Sequence, residues 1–147
     1  MARRMGFSTP LLCASPEYLR AHGTPASLAE LSRHPSISIG SGRVEPTWRF
    51  LGSGSEVTEV KIQPRVEVNS SALALELCKV GAGLAMLPSF LATSRVADGS
   101  LVHVLPELRT RPLEVVLLLP SARQIAPKVR AFLEVVDRHV ARQKPWS

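Results

Sequence analysis

An α/β domain with a mixed or parallel sheet is the fold class that the sequence predicts, and three observations carry it. Short apolar runs alternate with helix-period segments along the whole chain. The run at residues 113–119 is almost continuously apolar, as in a strand covered on both faces. Helix boundaries are marked by local chemistry: Ser15-Pro16-Glu17, Asn69-Ser70 and Pro127 open helices, and Gly23 and Gly81 close them. At 147 residues, 45% hydrophobic and 20% charged, the chain holds one domain's worth of core-forming material.

The elements follow in order. Residues 9–14 read as a short buried strand. At Ser15-Pro16-Glu17 a capping side chain, a proline at the first helical position and an acid near the positive end of the dipole start a short helix. After Thr24-Pro25, Ser27 and Glu30 have capping-box spacing, so each side chain is expected to satisfy the other's backbone N–H in a helix ending before Pro35. Residues 37–39 form a strand leading into the loop Gly40-Ser41-Gly42. Residues 48–51 are extended, Gly52-Ser53-Gly54-Ser55 turns, and residues 56–62 and 65–68 return as strands.

The clearest internal helix covers residues 70–80, with Leu73, Leu77 and Val80 on one stripe and Gly81 as its stop. Residues 84–87 are a buried strand closed by Pro88, residues 89–95 a short helix, Asp98-Gly99 a turn and residues 101–105 a short strand. Residues 113–119 then form a central strand. Pro127 opens the last helix, whose apolar stripe is Val129, Phe132, Leu133, Val136 and Val140. Arg130, Glu134 and Arg138 stand outside it as an i, i+4 charge ladder.

Charge and composition narrow the function. The net charge is +6, but Arg3, Arg4, Arg123, Lys128, Arg130, Arg138, Arg142 and Lys144 are dispersed rather than blocked together. A nucleic-acid footprint is usually clustered, so most of these read as solvated faces. Aromatics at 5% leave little for base stacking. The two cysteines, Cys13 and Cys78, read as small buried hydrophobes of a reducing compartment. No apolar run approaches the roughly 18 residues of a membrane span, and none follows Arg3-Arg4 as a secretory signal requires. The expected location is cytoplasmic, and the sequon Asn69-Ser70-Ser71 is read as chance.

Catalytic and metal chemistry find no footing. His22, His34, His103 and His139 have no partners at metal-ligand spacing. Gly81-Ala82-Gly83 follows a helix, and Met86 stands where a dinucleotide fingerprint needs glycine. There is no nucleophile elbow, and Glu56 and Glu59 read as exposed strand residues. We therefore expect neither catalysis nor a cofactor. Two features suit a small ligand instead. The loop Ser38-Ile39-Gly40-Ser41-Gly42-Arg43 offers free N–H groups, hydroxyls, little bulk and a cation, and is either a carboxylate-holding loop or a plain turn. Asn69-Ser70-Ser71 opens a helix and is either an anion site or simple capping. Trp48 is either a core anchor or a ligand stack.

Read together, several segments resemble one family. They are Leu11-Leu12-Cys13-Ala14-Ser15-Pro16-Glu17-Tyr18-Leu19 with Gly23-Thr24-Pro25 and Leu28-Ala29-Glu30-Leu31, and then Trp48-Arg49-Phe50. Gly81-Ala82-Gly83-Leu84-Ala85-Met86-Leu87-Pro88, Gly99-Ser100-Leu101-Val102 and Lys128-Val129-Arg130-Ala131-Phe132-Leu133 complete the series. In this order they resemble the C-terminal effector-binding domain of LysR-type bacterial transcriptional regulators, across essentially the whole chain.

The resemblance implies a periplasmic-binding-protein-like fold in which two α/β subdomains, joined by hinge strands, clasp a small and anionic effector. It implies that residues of about 7–110 are the second subdomain, and about 111–143 the returning strand and last helix of the first. The stretch Met1-Ala2-Arg3-Arg4-Met5-Gly6 resembles the approach to the second subdomain, so the DNA-reading winged helix-turn-helix is expected outside this chain. Ser38, Gly40, Ser41 and Gly42 match the family's ligand loop, and Asn69 and Ser70 the helix start facing the cleft. The implied role is a non-catalytic sensing and oligomerisation module, with a transport-type solute-binding fragment or a small α/β enzyme as alternatives. A sheet lacking its usual neighbours is expected to self-associate, with exchange of the last strand and helix between copies as one route.

Overall fold

The structure, a computed structural model, describes residues 2–40, 42, 45–119 and 126–143. The chain divides into two compact units. One is Thr9–Arg111; the other joins the first eight residues to the stretch from Pro112 onward.

The larger unit is built on a five-stranded sheet. Its strands are β2 (Leu11–Ala14), β3 (Pro35–Ile39), β6 (Gln63–Val68), β7 (Leu84–Leu87) and β8 (Val102–His103), in the order β6-β3-β7-β2-β8. β6, β3 and β7 run parallel, while β2 is antiparallel to both β7 and β8. A smaller antiparallel sheet holds β4 (Thr47–Leu51) between β5 (Val57–Lys61) and β9 (Arg109–Thr110). The mixed sheet matches the pattern of alternating strands and helices in the sequence.

Alternation along the strands divides the core in two. Cys13, Ile37, Ala85 and Leu87 pack with Ala74, Leu75 and Cys78 of α3 (Ser71–Lys79) and Ala92 of α4 (Ser89–Ala97). Leu12, Ala14 and Leu84 join the opposite cluster with Tyr18 of α1 (Pro16–His22), Leu31 of α2 (Leu28–Leu31), Trp48, Phe50, Val60 and Ile62. Both faces of the five-stranded sheet are therefore covered, as parallel strands require. Trp48 is buried in this cluster, so it is a core anchor.

Local signals were realised unevenly. Ser15 caps α1 by accepting from the Tyr18 N–H at 3.1 Å, with Pro16 in the first turn, as its sequence predicts. Past α3, Gly81 takes φ +80°, and its N–H donates to the Cys78 carbonyl at 3.0 Å. The capping box fails: Ser27 makes no side-chain cap bond, and Glu30 Oε2 accepts instead from the Ala26 N–H at 2.9 Å. The Glu30 carboxylate thus reaches one residue past the N-cap, and the reciprocal pair does not form.

The predicted stripe of α3 also needs correction. Leu73 and Val80 are 49% and 73% exposed, and the buried side is Ala74, Leu75 and Cys78. Small residues face the sheet because the helix must lie close against Cys13, Ile37 and Ala85.

The smaller unit pairs β1 (Ala2–Ser8), which the sequence reading left unassigned, antiparallel with β10 (Leu113–Leu118). The sheet has two strands among the described residues, so β10 does not lie centrally here as its apolar run suggests. Leu113 and Leu118 are 56% and 75% exposed. α5 (Pro127–Gln143) starts at the predicted proline and buries Leu133, with Val129, Val136 and Val140 half-buried and Phe132 exposed. In place of the expected ladder, Arg138 Nε donates to the Glu134 carbonyl oxygen, and Asp137 pairs with Arg3 at 2.9 Å. Arg4 lies 5.5 Å from the Phe7 ring centre and 3.8 Å from the Glu114 carboxylate.

Candidate functional site

The parallel strands set the geometry. Ile39 at the end of β3 is in register with Val68 at the end of β6, and the Gly40 N–H extends the ladder to the Val68 carbonyl at 2.9 Å. β7 runs alongside, with Ile37 opposite Ala85. The segments that leave these strands therefore emerge at one end of the sheet. They are the loop after Ile39, the Asn69-Ser70 start of α3, and Pro88 before α4. The region outside the carboxyl ends of parallel strands is where open α/β sheets hold ligands.

The sequence singled out six residues, and the fold brings the described ones to this end. Ser38 is buried, whereas Gly40, Gly42 and Asn69 are exposed. Ser70 is the N-cap of α3, its hydroxyl accepting from the Leu73 N–H at 3.4 Å. Ser41 and Arg43 lie outside the described residues. The α3 N-terminus adds backbone N–H groups and the positive end of a two-and-a-half-turn dipole.

Two neighbours were missed. Glu67 is in register with Ser38, so their side chains share a face of the sheet. A Cβ placed on Gly42 would lie 3.3 Å from Glu67 Oε1, and one on Gly40 3.9 Å from it. Ser36, two residues before Ser38 and on the same face, is buried with its hydroxyl unpartnered among the described residues. The polar alternation Ser36-Ile37-Ser38 was visible in the sequence; the cross-strand approach of Glu67 was not.

Other reactive groups are ordinary. Burial pushes the Cys13 and Cys78 thiols up to about 12, and Cys78 Sγ–H donates to the Cys13 carbonyl at 3.4 Å. Such thiols carry little thiolate. Tyr18 stacks on His22 with ring centres 4.4 Å apart, and its hydroxyl lies 2.9 Å from Nδ1 of His34, a cluster that sequence spacing did not reveal. Among the described residues, no group of three or more His, Cys, Asp or Glu is placed to hold a metal ion. No helix among them is long and apolar enough to cross a membrane.

Comparison with known proteins gives consistent matches. The family described as LysR substrate binding domain matches residues 2–141. An HTH-type transcriptional regulator of Haemophilus influenzae is 32% identical over 130 residues, which is 88% of this chain and 44% of that protein. The HTH-type transcriptional regulator CrgA of Neisseria meningitidis is 32% identical over 136 residues, 90% of this chain and 44% of CrgA. The solved structure of CrgA superposes with a TM-score of 0.83 at 29% identity, covering 95% of this chain and 47% of that one. The chain spans under half the length of the curated relatives it matches.

Proposed function

Because this chain belongs to the LysR substrate-binding-domain family, we propose that it is the effector-sensing part of a transcriptional regulator, with Ser38, Gly40, Ser41, Gly42, Asn69 and Ser70 contacting the ligand. One observation carries the reading. The Ile39–Val68 register puts the glycine loop and the α3 start side by side at the carboxyl end of parallel strands. Backbone N–H groups at the α3 start suit a carboxylate, so the effector is a small organic anion. The six residues bind without catalysing. The matched proteins support this, since they are transcriptional regulators.

The intact regulator works in the cytoplasm and reads DNA through a winged helix-turn-helix outside these residues. Effector binding favours one arrangement of the sensing domain and shifts the population of DNA-binding states. Self-association supports that role, and the exposed Leu73 and Val80 of α3 offer an apolar surface for it. Residues of about 7–110 act as one subdomain, and the strand and helix within about 111–143 complete another.

A thermal-shift screen against small organic acids, amino acids and aromatic carboxylates tests the assignment. A ligand at 100 times its Kd adds about 2.7 kcal/mol of stability. We expect at least one compound to raise the melting temperature with concentration, and Ser38→Ala and Ser70→Ala each to weaken it tenfold or more. Binding that both variants keep intact would move the site elsewhere.

A further inference from the structure

We draw no further inference here: the strongest candidate, the exposed apolar patch of Leu113, Val116 and Leu118 on the two-stranded β1–β10 sheet, carries nothing because no feature of the structure shows what covers it.

Discussion

The hydroxyl of Tyr18 lies 2.9 Å from Nδ1 of His34, joining the helix that follows the first core strand to the residue before β3. Tyr18 is itself buried, and its phenol is pushed up to about 12 by that burial. His34 is held below its ordinary value, first by burial and then by His22, with Glu30 opposing. The direction of this bond follows the imidazole tautomer, and the Tyr18 O–H also has the Pro35 carbonyl oxygen as an acceptor at 3.5 Å.

Stability should therefore fall in mild acid. A histidine with a depressed folded-state pKa takes up protons more readily when unfolded, so its contribution is full above the ordinary value of about 6.5 and shrinks as pH falls below it. His103, lowered mainly by burial, acts in the same direction. Thermal unfolding between pH 5 and 7.5 should give a falling melting temperature toward acid, and a smaller fall in His34→Gln. An identical slope in the variant would remove His34 as the cause.

Gly83 sits where the chain enters β7 beside the start of β3. A Cβ there would meet the Pro35 carbonyl oxygen at 2.6 Å and Ser36 Cα at 3.2 Å, both backbone. Gly83→Ala should cost about 1–3 kcal/mol through overpacking, read as a lower urea midpoint. A midpoint equal to the wild type would mean that the two strands part more easily than the structure implies.

Ser15 and Ser70 cap α1 and α3, but only Ser15 is buried. Replacing a cap by alanine costs about 0.5–2 kcal/mol, and the buried site should lie nearer the upper end. Urea unfolding should rank Ser15→Ala as the more destabilising of the two. The reverse order would show that solvent supplies what Ser15 does.

Leu73 and Val80 stand on the outer side of α3, seven residues apart and therefore on one face. Leu73→Glu with Val80→Asp should weaken self-association at least tenfold in sedimentation while leaving the melting temperature of the isolated chain within a few degrees. A wild-type chain that is monomeric at high concentration would sink the idea before the variant is made.

Strand and helix placement was largely legible because it rests on neighbours in sequence. Ser15-Pro16 and Gly81 act through bonds spanning three or four residues, and the structure has them where the pattern put them. Ser27 and Glu30 had the right spacing and still did not close, since Glu30 accepts from Ala26 instead. Leu73 and Val80 have helix-core spacing, yet Ala74 and Cys78 face the sheet; a periodic pattern cannot tell which of two apolar faces will be chosen.

The candidate site divides along the same line. Its glycines, hydroxyls and helix start were readable, because a flexible polar loop after a strand and a capping residue before a helix are written locally. That the two lie side by side depends on β3 and β6 pairing in parallel, 29 positions apart from Ile39 to Val68. The same pairing sets Glu67 beside Ser38 and against Gly42. By itself the sequence determined the fold class and family likeness, through periodicity and short-range hydrogen bonding. Only the tertiary structure decided which strands became neighbours, which helix face was buried and which charge stands over the loop, because those follow from long-range packing that no local pattern encodes.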